Sequence, residues 1–513
     1  MNSERPLPVH VSTFVIGAGF AGLAMAIRLD EAGERNFLVA ERGDDVGGTW
    51  RDNTYPGAAC DVPSQLYSYS FALNPTWSRS FSPQPEIQAY IRRVADDSGV
   101  LDRFRFGIDV EHATWDEERQ VWQVRTSAGD LTADVVVTAA GALSEPKLPE
   151  IDGIGSFAGE VFHSARWDHD ADLSGKRVAV IGTGASAIQI VPEIARTVEH
   201  LDVYQRTAPW VMPRHDRAYT GVEKLAFKHL PGLQRLYRTA IYWGRECFVP
   251  AFVINPKIAL PAKKAAQANI TRHISDPELR RKVTPNFEIG CKRILISNTW
   301  YPALAQDNVD LVTDRIARVT PTGIVTEDGT ERDVDVLVVA TGFHTTDLPV
   351  AHHITGREGH TLADQWAETG VSAYKGATVS GFPNLFFLVG PNTGLGHSSM
   401  VFMIESQVAY VLDALRTMRE RDLVTVEPKR GEQDAWNADL QRRMERTVWH
   451  RGGCSSWYLD EHGRNVTLWP RTTFAFRRLT RVFDATAYHL VADNETLRDG
   501  RTDTPDELQE LNA

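Results

Sequence analysis

The order strand, glycine turn, helix occurs twice in this chain, and nothing else in the sequence restricts the fold as strongly. The first unit runs from Val11 to Leu29 and places Gly17, Gly19 and Gly22 in "VIGAGFAG". The second runs from Arg177 to Ala195 and places Gly182, Gly184 and Ala187 in "VAVIGTGASAIQ". The first two glycines of such a turn let the chain leave a strand sharply and let a pyrophosphate approach the backbone at a helix N-terminus. A glycine triplet alone is weak, but here each is preceded by an apolar strand and opens a helix. The expected fold class is α/β, with two Rossmann-like dinucleotide-binding domains.

The strand after each turn ends differently. Asn36 to Ala40 leads to Glu41, whose carboxylate can accept hydrogen bonds from ribose hydroxyls. Leu201 to Tyr204 leads to Gln205, Arg206 and Thr207, with no acid at that end. Arg206 offers a guanidinium where an adenosine 2′-phosphate would lie, which selects NADPH over NADH. Thr183, Ser186 and Thr207 complete the expected contacts of this second site. Two dinucleotide sites in one chain imply electron transfer between bound cofactors, and FAD with NADPH is the usual pair. Disulfide reductases, metal-ion reductases and flavin monooxygenases share that pairing. Cys60, Cys247, Cys291 and Cys454 lie far apart with no CxxC spacing, which predicts neither a disulfide, nor a redox-active pair, nor a metal site. That sets the disulfide reductases aside and fits a reducing cytoplasm.

At 513 residues the chain exceeds what one core serves. The expected division is 1–141 with 384–513 for FAD, 142–215 with 290–383 for NADP, and 216–289 as a helical insertion in the second domain. Within it, Gly221 to Lys282 is helical in pattern, rich in Lys and Arg, and cut by prolines. A hairpin is predicted over Asp109 to Val137, and the strand that closes it has a near copy in "DVLVVATG" at Asp335 to Gly342. A strand from Asn384 leads into "GPNTGLGHSS" and a helix over Phe402 to Arg416, while the acidic tail after Ala492 is expected to be peripheral. The net charge of -12 argues against a nucleic-acid partner and for a small-molecule substrate. Arg245, Glu246, Pro250, Pro256 and Lys257 interrupt the most apolar stretch too often for a spanning helix, and the N-terminus lacks a signal-peptide pattern. The expectation is a soluble cytoplasmic enzyme that can at most lie against a surface, as a monomer or homodimer.

Between the two units the chain reads "FAGEVFHSARWD", in which Phe157, Gly159, His163, Trp167 and Asp168 fill every fixed position of F-x-G-x-x-x-H-x-x-x-W-[PD]. In this the chain resembles the type I Baeyer–Villiger monooxygenases, and the resemblance spans roughly Val11 to Phe483 by spaced motifs. A second match, "GGTWRDNTYPGAACD", holds Gly47, Gly48, Thr49, Trp50, Tyr55, Pro56, Gly57 and Asp61, and is similar to the family's flavin-side loop, with Tyr67 just beyond it. A third, "CKRILIS", places Lys292 and Arg293 where the family carries its catalytic arginine. "GGCSSWY" brings Trp457, a candidate for the substrate pocket, and Tyr458.

The resemblance implies that NADPH reduces FAD, that dioxygen adds to give a C4a-peroxyflavin, and that a ketone becomes an ester or lactone. It assigns Arg293 to hold the developing negative charge, Asp61 to orient Arg293, and Lys292 and Arg206 to assist with the nicotinamide cofactor or the peroxide. An arginine suits that role because it does not lose its proton. His163 reads as a hinge residue between the domains rather than a general base. The alternative is an N- or S-oxygenating flavin monooxygenase, against which Asp61 and the Trp167–Asp168 ending both speak.

Overall fold

A computed structural model describes residues 6–492 of the chain, so the acidic tail lies outside the described residues. Both glycine units fold as their spacing predicts. Strand His10–Ile16 enters the first turn, helix Phe20–Glu31 leaves it, and strand Phe37–Glu41 returns parallel to the first, with Ile16 opposite Ala40. Strand Arg177–Ile181, helix Ala187–Ile194 and strand His200–Tyr204 repeat the arrangement. Gly17 adopts a φ of +102°, and a Cβ there would stand 2.8 Å from the Ala139 carbonyl oxygen. Gly182 adopts +117°, with the Ala340 carbonyl oxygen at 2.5 Å. Only glycine satisfies both conditions. Ala139 and Ala340 follow the two near-copy strands, Gly129–Thr138 and Val336–Val339, each of which pairs with the strand feeding its turn.

The larger sheet runs in the order Ile354–Thr355, Val110–Asp116, Val121–Thr126, Gly129–Thr138, His10–Ile16, Phe37–Glu41, Phe104–Phe106. Leu385–Phe387 joins it alongside Gly129–Thr138. The hairpin predicted over Asp109 to Val137 forms its antiparallel part. The second sheet is all parallel: Val309–Val312, His200–Tyr204, Arg177–Ile181, Val336–Val339 and Glu160–His163. Helix Met400–Glu420 shares a core with helix Phe20–Glu31.

Two expectations fail here. Residues 348–383, expected with the second nucleotide unit, pack on the first sheet. Leu348, Ile354, Leu362, Trp366 and Val379 share a core with Phe14 and Ala113, and Ile354 pairs with Ala113. The reason is coverage: these side chains bury the sheet face formed by Phe14, Trp122 and Val136, a demand no local pattern reveals. The cysteine reading also fails, because Cys291 and Cys454 form a disulfide, with Cα atoms 6.1 Å apart and a sequence separation of 163. Long-range pairing cannot be read from spacing alone. Cys60 and Cys247 remain free thiols.

The insertion is helical as expected. It comprises Gly221–His229, Pro231–Glu246, Val249–Val253, Leu260–His273 and Pro277–Val283. Thr220 and Glu223 form a capping box at its start. The prolines that break the sequence pattern sit in the first turns of the later helices, where a missing N–H costs nothing. Among the described residues no helix is long and apolar enough to cross a membrane.

Candidate active site

The flavin-side loop folds back on the first glycine turn. Gly47 donates its N–H to the Ala18 carbonyl at 3.0 Å, and the Cα of Gly19 lies 3.1 Å from where a Cβ of Gly48 would stand. Gly22 sits so tightly over Gly17 that a Cβ would fall 1.8 Å from its carbonyl oxygen. Helix Phe20–Glu31 has no side-chain cap and no acid in its first turn, which leaves its N-terminal N–H groups for an anion. Glu41 is buried, and its carboxylate accepts from the Ala18 and Gly43 N–H groups at 2.8 Å and from Arg51 Nη1 at 2.7 Å. Thr49 opens the short helix Thr49–Asp52, and Trp50 Nε1 donates to the Tyr67 hydroxyl at 2.9 Å. Tyr67 packs edge-on against Phe20.

At the second turn, nothing lies within 4 Å of a Cβ placed on Gly184. Thr183 donates its hydroxyl to the Thr207 carbonyl at 3.2 Å, and Ser186 stands at the helix N-cap. Arg206 is exposed at the strand end. Lys292 is half-buried over the Phe287 ring, and burial first, then the nearby Arg206 charge, holds its pKa below the usual lysine range. Two cations therefore face one region beside the second glycine turn.

Asp61 and Arg293 meet across 232 residues of sequence. Nε of Arg293 donates to Oδ2 of Asp61 at 2.8 Å and Nη2 to Oδ1 at 2.7 Å, a bidentate fork. Their side chains are 33 % and 25 % exposed, so the pair is sheltered yet reachable. Burial pushes the Asp61 carboxyl up, but the charge and hydrogen bonds of Arg293, aided by Arg245, outweigh it and hold the carboxyl below its usual range. The Asp61 charge conversely raises Arg293 above an already high value. Nη1 of Arg293 also lies 3.5 Å from the Leu395 carbonyl in the "GPNTGLGHSS" loop.

The linker fingerprint builds the second sheet's edge. Gly159 has no room for a Cβ, which would stand 2.3 Å from the Asp335 carbonyl oxygen and against the Phe157 ring. His163 ends the edge strand opposite Val339, accepts the Ala165 N–H at Nδ1 and packs edge-on against Phe343. Burial lowers its pKa, against a hydrogen bond with the Gly342 backbone that raises it. Trp167 packs on Phe162, and Asp168 caps its own turn through the Asp170 N–H. Trp457 is 44 % exposed, outside the core, with its ring against Tyr458. Tyr458 is buried beside the Asp61–Arg293 pair, its hydroxyl pushed up to about 12 by burial.

Several contributors escaped the sequence reading. Arg245, on insertion helix Pro231–Glu246, donates to the Asp61 carbonyl at 3.1 Å, so the insertion reaches the site. Arg214 donates to the Cys60 carbonyl at 3.2 Å. Gln189, on the second glycine helix, donates to the Ala59 carbonyl at 3.0 Å and accepts the Ala59 N–H at 3.1 Å, clamping the flavin-side loop. Gly57 lacks a Cβ because one would meet the Gln189 carbonyl oxygen at 2.6 Å. Glu246 and His397 form a buried pair at 3.2 Å, fastening the insertion to the "GPNTGLGHSS" loop. The Cys291–Cys454 bond ties the segment before Arg293 to the loop bearing Trp457. A bonded cysteine pair beside the site removes the ground on which the sequence reading set aside disulfide reductases; only similarity to known proteins decides that point.

Residues 14–226 match the family described as pyridine nucleotide-disulphide oxidoreductase. A Baeyer-Villiger monooxygenase of Streptomyces coelicolor is 51% identical over 493 residues, covering 96% of this chain and 95% of that protein. One of Pseudomonas aeruginosa is 50% identical, covering 95% of this chain and 93% of its own length. Among solved structures, OTEMO in complex with FAD and NADP superposes with a TM-score of 0.84 at 29% identity, covering 94% of this chain and 99% of its own. An oxidized steroid monooxygenase bound to NADP superposes with 0.83 at 31% identity, covering 95% and 100%. Full-length identity at this level, over a chain whose glycine turns and linker fingerprint are intact, places the protein in the Baeyer–Villiger monooxygenase family.

Proposed function

We propose that this chain is an NADPH- and FAD-dependent monooxygenase that inserts one oxygen atom of O2 beside a ketone carbonyl, giving an ester or lactone. The Asp61–Arg293 fork carries the reading, because it fixes a permanent cation in a sheltered but open position between the flavin-side loop and the insertion. The residues fit both cofactors. Gly17, Gly19, Gly22 and Gly48 form a cradle with little side-chain bulk at an uncapped helix N-terminus, and Glu41 closes its ribose end. Thr49, Trp50 and Tyr67 line the flavin side. Gly182, Thr183, Gly184, Ser186, Arg206 and Thr207, with Lys292, suit NADPH through open space at the turn and two cations for its 2′-phosphate.

When bound, FAD supplies hydride acceptance from NADPH and the activation of dioxygen. Arg293 keeps its proton throughout and presents positive charge where an oxyanion develops during carbonyl attack. Asp61 holds the guanidinium plane, and Arg245 holds the Asp61 backbone. Gln189 couples the two units by gripping Ala59. Trp457 lines the ketone's approach, and Tyr458 excludes water behind Arg293. His163 and its fingerprint neighbours form the hinge about which the units move between steps.

Among the described residues, FAD is assigned to 6–141 and 384–492 with 348–383 added, NADPH to 142–215 and 290–347, and 216–289 to the insertion. A cytoplasmic protein, monomeric or dimeric, agrees with dependence on a reductant regenerated inside cells. Purified protein should be yellow and oxidise NADPH faster with a suitable ketone, with ester or lactone found by mass spectrometry. NADPH oxidation that yields only hydrogen peroxide across linear, cyclic, aromatic and steroidal ketones would refute the reading.

A further inference from the structure

We propose that the outer face of the helical insertion, extended by helix Thr473–Leu479, is a docking surface for an anionic lipid bilayer. Of the seventeen large apolar side chains that stand exposed among the described residues, ten fall between Val222 and Leu260. Helix Pro231–Glu246 shows how they are arranged. Its inner face carries Gln234, Tyr242 and Glu246, all buried against the flavin-side loop or the C-terminal segment. On the opposite side Leu233, Leu236, Ala240 and Trp243 recur every three or four residues, and all four face solvent. Leu236 is 66 % exposed and Trp243 51 %. The ridge continues through Phe248, Ile254 and Ile258, and across to Phe474, whose ring lies 6.1 Å from that of Trp243.

Charge selects the occupant. Residues 221–264 hold eight Lys or Arg against two Glu, and 471–482 hold four Arg and no acid, in a chain of net -12; Arg238 and Arg245 turn inward, and Lys263 and Arg477 pair with Glu288 and Glu405, which leaves the others to the surface. Lys228, Arg235, Lys257, Lys264, Arg478 and Arg481 are exposed around the apolar ridge. An acidic molecule is repelled by an anionic membrane except through this face, and screening over about 10 Å at 0.1 M salt makes the local charge decisive. Exposed apolar side chains ringed by Lys and Arg are what an interfacial helix presents, with the apolar part entering the headgroup boundary and the cations meeting the lipid phosphates. A protein partner of matching acidity would need its own apolar groove, whereas a bilayer supplies both features over any area.

The test uses the full-length holoenzyme with vesicles of phosphatidylcholine alone or mixed with phosphatidylglycerol. Co-sedimentation should be at least tenfold stronger on the mixed vesicles and should fall in high salt, and Trp fluorescence should shift to the blue. Leu236→Ser with Ile254→Ser should lose that binding about tenfold while ketone-dependent NADPH oxidation in solution stays unchanged. Should that pair fail to fold, Lys257→Glu with Lys264→Glu gives the same readout by charge alone. Binding that ignores both pairs, no binding to mixed vesicles, or a dimer in analytical ultracentrifugation that Leu236→Ser dissolves while vesicles are ignored would each overturn the proposal.

Discussion

The two glycine turns present nearly the same backbone to a nucleotide and opposite charges to its ribose. Gly17 and Gly182 both take a positive φ and both press against the carbonyl of an alanine that follows a neighbouring strand. At the first turn the strand end carries Glu41, buried, with its oxygens already receiving three N–H donors. At the second it carries Arg206, exposed, close enough to Lys292 to lower that lysine's pKa. A pyrophosphate is common to both cofactors, so the turn can be shared, whereas a 2′-phosphate is not. In the proposed function, turn geometry accounts for the binding of a dinucleotide, and the side chain ending the next strand for which one.

The harshest way to break this comparison is at the turns themselves. Gly17→Val should abolish FAD retention, since the side chain meets the Ala139 carbonyl and the backbone must hold a φ of +102°. Gly184→Val, in open space, should leave the protein yellow and impair only nicotinamide binding. Flavin content by absorbance after desalting distinguishes the two, and a fully loaded Gly17→Val protein would show that the first turn does not hold FAD. Next in size is the point where the units meet. Arg293→Ala should leave flavin reduction by NADPH measurable in stopped flow but lower ester formation on the order of a hundredfold or more, diverting oxygen to hydrogen peroxide. Ester produced at near the parent rate would remove Arg293 from the reaction.

Smaller effects sharpen the strand-end contrast. Arg206→Ala should raise the KM for NADPH by about tenfold to a hundredfold, the cost of a charge-assisted contact, with NADH little changed. Equal losses for both cofactors would contradict the assignment. The smallest effect is a pH limb. Lys292, depressed by burial and by Arg206, sheds its proton at lower pH than an ordinary lysine, so NADPH should bind more weakly as pH rises toward the alkaline side. Lys292→Arg should flatten that limb, and Arg206→Ala should move it upward by removing one cause. A KM–pH profile unaltered by either change would exclude Lys292 from phosphate binding.

Much of this arrangement was legible in the sequence because it is local. A glycine turn, its strand end and the linker fingerprint each occupy a dozen residues, and their backbone demands are written in residues such as Gly159 and Gly182 that tolerate no Cβ. Asp61 and Arg293 were legible only by resemblance, since a separation of 232 in sequence gives no spacing signal. What stayed hidden depends on which surfaces face each other. Arg245 looked like an interruption in an apolar run, yet its helix delivers it to Asp61. Gln189 carries no signal in the sequence, yet it clasps the opposite loop. Residues 348–383 follow the second unit in sequence but serve the first sheet, because that sheet had a face to bury.

The Cys291–Cys454 bond also bears on how the molecule moves. It lies two residues before Arg293 on one side and three before Trp457 on the other. The bond tethers the guanidinium-bearing segment to the loop that carries Trp457, so a rotation that repositions the arginine carries the root of that loop with it. On the proposed role of Trp457, a ketone resting against it would stay near the charge through that rotation, while its distance to the nicotinamide could change.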